Sequence, residues 1–481
     1  MQSHADGTIV TTNPATEDVL GRYAEFNDAQ VDAALDAAVT AQEAWARTPY
    51  AERSAVLRAL AERLRERREE FAALITAEMG KPLTEAEAEV EKCAWTCEFF
   101  ADCGESYLTE EPIHTGDAQA TSVTFEPVGV VLAVEPWNFP FWQVVRFAAP
   151  ALVAGNGALL KHSPNVTGCA LALEEVFRAA GVPEGLFTAL LLTDARTPEV
   201  TARLIDDPRI AAVTLTGSER AGTAVGAAAG RAIKKSVLEL GGSDPFIVLA
   251  DADLEEAAVQ AARGRYLNSG QSCIAAKRFL VEASVAEEFT ERLVKAVSNL
   301  PLGDPTQRET RVGPLARGDL REALERQVAG SVAEGAQVAC GGTRPDRPGW
   351  FYEPTVLTGV TPDMPAFREE TFGPVATVTA VADEDEAIAL ANSSAYGLGA
   401  SVWTRDLQRG RRVGAQVQSG SLFVNAIVAS DPRLPFGGTK RSGYGRELAA
   451  YGIREFVNVR TWWVAPASPP PAVQTPPPPA D

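Results

Sequence analysis

The sequence predicts an α/β protein in which strands alternate with helices, the pattern of a doubly wound parallel sheet. Two observations carry this expectation. The runs Val130–Val134, Ala158–Lys161, Phe187–Leu192, Ala211–Leu215 and Lys235–Leu240 are β-rich, and helical stretches separate them, notably Val166–Ala180 and Arg220–Gly230. After Gly242 the alternation starts again. Phe246–Leu249, Phe279–Val281, Gln337–Cys340, Val375–Val381, Gly399–Trp403 and Ser421–Asn425 read as strands, with helices at Leu254–Tyr266 and Val285–Asn299. A chain of 481 residues, 46% hydrophobic and 22% charged, has room for two or three domains with sizeable cores.

The elements around these blocks follow in order. Asn27–Ala46 has helical periodicity and an Ala-rich face. Ala51–Met79 places Val56, Leu57, Leu60, Leu64, Phe71 and Leu74 on one side and is closed by Gly80 and Pro82. Glu85–Tyr107 reads as a third helix. Thr121–Val134 reads as strands interrupted at Pro127-Val128-Gly129, and Val457–Val464 as a final strand. The run from Pro466, PASPPPAVQTPPPPAD, is low in complexity and is expected to be a disordered tail.

Composition narrows the function. A net charge of −20 disfavours nucleic acid and anionic membrane surfaces, which call for Lys and Arg in excess. No apolar run has the length of a membrane span, and the N-terminus MQSHADGTIV lacks the features of a signal peptide, so a cytoplasmic location is expected. Six cysteines in so long a chain do not form a disulfide framework. Cys93, Cys97 and Cys103 fall at helical spacing beside Trp95, Phe99 and Phe100, which suits buried small hydrophobes. The three histidines, His4, His114 and His162, make no metal-ligand spacing, so no metal is expected and a Cys–His dyad is poorly supported. Any thiol catalysis then needs a carboxylate as base.

Two segments offer that pair. Glu239-Leu240-Gly241-Gly242 puts a carboxylate at the end of a strand in an apolar, glycine-rich setting, and Gly270-Gln271-Ser272-Cys273 puts a thiol in a small polar run. One ends the first α/β block and the other lies in the second, so a site using both falls in the cleft between them. Taken singly, each has a plainer explanation: an inert buried thiol, a surface carboxylate. Thr216-Gly217-Ser218 follows a strand and opens a helix, which suits phosphate binding or an ordinary helix cap.

Together with Pro136-Trp137-Asn138-Phe139-Pro140, Lys161, Glu369-Glu370-Thr371-Phe372-Gly373-Pro374 and Pro435-Phe436-Gly437-Gly438, these segments resemble the aldehyde dehydrogenase superfamily from about Thr12 to Val464. The resemblance implies an aldehyde dehydrogenase-like fold: a Rossmann-type cofactor domain (1–120 and 133–241), an α/β catalytic domain (242–440), and a small β oligomerisation element (121–132 and 457–465) ahead of the tail 466–481. It implies Cys273 as nucleophile, Asn138 with the Cys273 N–H as oxyanion donors, and Glu239 as the base that activates water. Trp137, Lys161, Ser163, Thr216, Gly217, Ser218, Glu370 and Phe372 match cofactor-binding positions. The cofactor is NAD or NADP. Pro164 stands where NAD-preferring members often carry Glu, so nothing acidic there repels a 2′-phosphate.

Within the superfamily the chain is most similar to bacterial succinate-semialdehyde dehydrogenases. Arg146, eight residues past Asn138, matches the arginine that clamps the substrate's distal carboxylate in those enzymes, and Ser430 matches a further carboxylate contact. Trp142 and Phe436 complete the substrate-binding set. Leu267 departs from the pattern, because some members carry a second Arg there. A structural ion pair with an interior carboxylate is the other reading of Arg146. The expected partners are a small aldehyde and further copies of the chain, as a homodimer or homotetramer. The competing functions are a broad-specificity aliphatic or aromatic aldehyde dehydrogenase, a CoA-acylating enzyme, and a non-enzymatic scaffold.

Overall fold

The computed structural model describes residues 7–116 and 118–465. His4 and the proline-rich tail lie outside the described residues. Two parallel-stranded sheets form the body. The six-stranded sheet runs in the order Gly443–Tyr444, Lys235–Glu239, Ile210–Thr216, Val130–Glu135, Gly157–His162, Phe187–Ala189, parallel except at the first strand. The seven-stranded sheet runs Gln337–Cys340, Thr355–Thr358, Val375–Val381, Ala276–Glu282, Asp244–Val248, Gly399–Trp403, Ser421–Val424, with only the Gln337–Cys340 edge antiparallel. Their central strands are buried on both faces, which is why they read as continuous apolar runs and not as alternating ones.

The α/β fold class expected from the alternation is observed, with most boundaries shifted by one or two residues. The N-terminal helices are Asp28–Trp45, Tyr50–Glu66, Arg68–Met79 and Leu83–Leu108. The single helix expected over 51–79 breaks at Arg67 (φ −106°, ψ 19°). No Gly or Pro marks that break, so periodicity carries straight through it. Asn27 opens the first helix with a reciprocal capping box to Gln30. A two-stranded hairpin, Thr8–Thr12 with Val19–Ala24, was not foreseen. Cys93 and Cys97 are buried in the helical layer, and Cys103 is half-buried.

One boundary is corrected. The run 121–134 is two strands belonging to different sheets. Ala120–Pro127 pairs antiparallel with Val457–Val464 in a three-stranded sheet, whereas Val130–Glu135 is central to the six-stranded sheet. Residues 130–132, expected in the oligomerisation element, therefore lie in the larger sheet. The switch occurs at Gly129, whose φ of +133° suits glycine, and Asn156 Oδ1 accepts the Val128 and Gly129 N–H groups. Gly443–Tyr444, beyond the expected end of the catalytic block at 440, also joins the six-stranded sheet.

Buried carboxylates hold the helices that carry the site. Glu89, ion-paired to Lys81, accepts the N–H groups of Phe141 and Trp142 at 2.9 and 3.0 Å, at the N-terminus of the Trp142–Val153 helix. Glu78 does the same for Gly168 and Cys169 at the start of Thr167–Ala179. In each case a negative charge meets otherwise unpaired N–H donors and the positive end of the helix dipole.

Candidate active site

Trp137, Lys161, Thr216 and Glu239 end or immediately follow neighbouring parallel strands, at the carboxyl edge where such sheets take ligands. The segment carrying Cys273 approaches from the other sheet. Gly242 shows how closely the two blocks meet: a Cβ added there would come within 2.5 Å of the Cys273 carbonyl oxygen.

The nucleophile segment is locked from several sides. Asn268 and Ser269 are buried with φ of 52° and 54°, and Gly270 follows at 73°. A Cβ on Gly270 would fall 2.2 Å from the Gly373 carbonyl oxygen, so only glycine fits. Two consecutive non-glycine residues in the left-handed region are costly and persist only where the surroundings hold them. Here Arg265, wholly buried, donates to the carbonyls of Val375, Thr371 and Gly373, and Glu85 accepts the Asn268 N–H at 2.6 Å. Lys277 Nζ donates to the Ser272 and Cys273 carbonyls at 3.0 and 2.8 Å and lies 3.5 Å from Glu370.

Around Cys273 the donors remain unspent. Its backbone N–H makes no hydrogen bond among the described residues. Asn138, 4% exposed, donates Nδ2 to the Gln271 carbonyl at 3.1 Å, which uses one of its two amide hydrogens. Asn268 Nδ2 grips the Asn138 carbonyl at 2.8 Å and so fixes that residue's position. Burial pushes the Cys273 thiol up to about 12, with Arg146 and Lys277 pulling it down and Glu370 and Glu239 pushing it further up.

Glu239 is the unpartnered carboxylate of this site. It is 2% exposed, and neither carboxylate oxygen has a hydrogen-bond partner. Burial first, and then neighbouring Glu447, hold its pKa well above the usual carboxylate range. His162 is no competitor. It is buried with Nε2 on the Pro140 carbonyl and Nδ1 accepting from the Ser163 N–H, and burial pushes it down to about 4.

On the cofactor side Lys161 is 6% exposed, and among the described residues Nζ makes no hydrogen bond or ion pair. Burial pushes it down to about 8 against the opposing pull of Asp194. Gly217 and Ser218 open the Glu219–Arg231 helix, where Ser218 caps the Ala221 N–H. An unspent buried cation and a helix N-terminus, both at the carboxyl edge of the six-stranded sheet, suit the hydroxyls and phosphates of a dinucleotide. Ser163 is half-buried and donates its hydroxyl to Asn165. Phe372 meets Trp137 edge-on at 5.7 Å, and Glu370 Oε1 accepts the Gly242 N–H at 3.0 Å. The Thr216 hydroxyl, just before the phosphate turn, accepts from Arg146 Nη2 at 3.1 Å.

For Arg146 two readings stood, a clamp for the substrate's distal carboxylate and an ion pair with an interior carboxylate. The residue is 1% exposed and ion-paired through Nε to Glu447, with its guanidinium 4.8 Å from the Phe436 ring centroid. Glu135, Glu239 and Glu447 all surround it, and burial raises the pKa of each. The geometry is that of a buried ion pair with an interior carboxylate. Charge explains it: one permanent cation is what makes three buried carboxylates tolerable.

Sequence reasoning missed Glu447, Arg265, Lys277, Glu135 and Lys92. Each acts through tertiary contacts, and none lies in a segment whose local pattern marks it. Among the described residues no group of His, Cys, Asp and Glu is arranged to hold a metal ion, and no helix is long and apolar enough to cross a membrane.

Comparison with known proteins gives the family. A probable succinate-semialdehyde dehydrogenase (NADP(+)) of Synechocystis sp. is 51% identical over 457 residues, covering 95% of this chain and 100% of the relative. A succinate semialdehyde dehydrogenase (NAD(P)+) of Escherichia coli is 47% identical over 454 residues, covering 94% and 97%. Among solved structures, succinic semialdehyde dehydrogenase from Streptococcus pyogenes in complex with NADP+ superposes with a TM-score of 0.92 at 36% identity, covering 95% of this chain and 100% of that one. The model of the Aldehyde dehydrogenase family matches residues 1–462. The chain belongs to the aldehyde dehydrogenase family.

Proposed function

We propose that the protein oxidises succinate semialdehyde to succinate with NADP+ or NAD+, through a covalent adduct on Cys273. The observation that carries the reading is the convergence at one cleft of three unspent groups: the Cys273 N–H, an Asn138 amide hydrogen, and the unpartnered Glu239 carboxylate. The Cys273 thiol gives its proton to solvent water, and the sulfur adds to the aldehyde carbon. The oxyanion so formed is held by Asn138 Nδ2 and the Cys273 N–H, donors worth about 2.7–4 kcal/mol each where charge develops. A bound nicotinamide nucleotide supplies the hydride acceptor. Loss of hydride from the former aldehyde carbon leaves a thioester on Cys273. Glu239 then takes a proton from water, whose oxygen attacks the thioester carbon, and the acid departs as the thiol is restored.

The names of the relatives support the substrate, together with Ser430 at a matching position beside a cationic group. The unpaired Lys161 and the absence of a carboxylate at Pro164 support NADP+ as an accepted cofactor. The test is an absorbance assay of reduced cofactor with succinate semialdehyde, butanal and hexanal against NAD+ and NADP+, without CoA. A kcat/KM no higher for succinate semialdehyde than for butanal overturns the substrate reading. A strict requirement for CoA overturns hydrolysis by Glu239.

Self-association through Val457–Val464 belongs to the same proposal. This strand lies at the edge of its three-stranded sheet and exposes Val459, Trp462, Trp463 and Val464. An apolar edge of that kind calls for a partner. The six cysteines are all unpaired, which suits a reducing compartment and supports a cytoplasmic location.

A further inference from the structure

The expected clamp for the substrate's distal carboxylate is incomplete in two ways. Leu267 offers no charge, and Arg146 is already engaged by Glu447. Arg146 spends Nε on Glu447 and Nη2 on Thr216, so a carboxylate passing Trp142 and Phe436 meets no guanidinium donor but its Nη1. It does meet an ammonium group. Lys92, on the Leu83–Leu108 helix, places Nζ 4.2 Å from the Trp142 ring centroid and donates to Ser430 Oγ at 2.6 Å.

Neither group is saturated. Among the described residues no carboxylate comes within ion-pair distance of Lys92 Nζ. Asp431, beside Ser430, is turned to Arg433 at 2.6 Å. The ammonium has three hydrogens and gives one to Ser430, leaving two. The Ser430 hydroxyl accepts that bond, and its own hydrogen has no acceptor among the described residues. Lys92 is partly exposed while Trp142 beneath it is 4% exposed, so the cation is supported by an aromatic face and still reachable. Trp142 and Arg146 lie one turn apart on the same helix, about 6 Å of rise. Lys92 is thus set one turn toward the helix N-terminus from Arg146.

We infer that Lys92, together with the Ser430 hydroxyl, forms the seat for the distal carboxylate of an ω-carboxylated aldehyde, in place of the missing second arginine. The inference rests on the substrate reading above and names the residue that executes it. Arg146 then contributes positive potential from behind and keeps its own ion pair. The methylene chain of the substrate lies along Trp142, and the two spare ammonium hydrogens with the Ser430 hydroxyl hydrogen converge on the carboxylate.

The charge on this seat titrates in an accessible range. Burial pushes Lys92 down to about 8, helped by Arg146 on the neighbouring helix. Cys93 and Glu89 on its own helix and Asp431 on the facing loop act in the opposite direction.

The test compares kcat/KM for succinate semialdehyde with that for butanal, in the wild type, K92M and K92R. A charge-assisted contact is lost in K92M, so the ratio should fall on the order of 10- to 100-fold, chiefly through KM. K92R should recover most of it. The wild type adds an arm that needs no variant to fold: the ratio should drop as pH rises from about 7 to about 9. It should stay level in K92R, because a guanidinium does not titrate there. A wild type that prefers succinate semialdehyde, with a ratio unmoved by K92M or by pH, overturns the role of Lys92 and leaves the substrate reading standing. A wild type with no preference overturns both.

Discussion

Replacing Arg146 with Met is the perturbation that separates its structural from its substrate-binding role. The side chain is 1% exposed, ion-paired to Glu447, bonded to Thr216 and stacked on Phe436. Removing one member of a buried pair leaves the other uncompensated, at a cost of about 3–5 kcal/mol. Here the cost depends on pH. Glu447 already has a raised pKa, with burial as its first cause and Arg146 as the opposing influence. Without the guanidinium that pKa rises further. A carboxylate with a raised folded-state pKa contributes stability that is present below its unfolded pKa and lost as pH rises through the folded one. The penalty of R146M should therefore be smallest near about pH 5 and grow toward about pH 8, by up to about 1.4 kcal/mol per pH unit for each carboxylate kept neutral. R146M/E447Q removes both members of the pair but leaves Glu135 and Glu239 without the cation, so it should regain part of the loss, with a coupling energy above about 1 kcal/mol. Urea denaturation of the wild type, both single variants and the double variant at these two pH values measures each quantity. If R146M is within about 0.5 kcal/mol of wild type at both pH values, or its loss simply adds to that of E447Q, the buried-pair argument is wrong. A loss of activity toward succinate semialdehyde alone, with stability intact, would point to a clamp.

Other outcomes follow from the same geometry. Cys273→Ala should abolish cofactor reduction while leaving the fold intact by circular dichroism; undiminished turnover would rule out covalent catalysis on that sulfur. Glu239→Gln should keep a first-turnover burst of reduced cofactor but slow steady-state turnover by about 10²–10⁴-fold, as read by stopped-flow absorbance. Because the Glu239 pKa is raised, the ionised fraction and hence wild-type hydrolysis should climb with pH, and the variant should lose that climb. Asn138→Ala should lower kcat by about 10²–10³-fold with a smaller change in KM, and a larger effect on KM would argue for ground-state binding. Lys161→Met should raise KM for NADP+ more than for NAD+ in the same assay; equal effects would put Lys161 on the shared part of the two nucleotides.

Periodicity and composition were enough for the α/β class, for the two alternating blocks and for the strand cores. Leu254–Tyr266, Val375–Val381, Gly399–Trp403 and Val457–Val464 have the same ends in the sequence and in the structure. In these runs the local preference of the residues agrees with the element they form. The assignment of residues 130–132 to the wrong sheet, and the missed break at Arg67, share one cause. β-rich residues suit either sheet, and a helix can kink without Gly or Pro, so the decision passes to what packs against the segment.

The same division runs through the candidate site. Motif order and residue type were sufficient to single out Cys273, Glu239 and Asn138, because their chemistry is carried by short contiguous segments. The environment of Arg146 was not readable, since its partner Glu447 lies some three hundred residues away, brought back by the reciprocal backbone pairing of Phe436 with Glu447. Lys92 likewise meets Ser430 across a sequence separation of 338 residues. Sequence by itself determined which reactive groups the chain owns and the class of sheet that carries them. Tertiary structure alone decided which of its buried charges are spent on each other and which remain open to a ligand, because that depends on distances through space that no local pattern encodes.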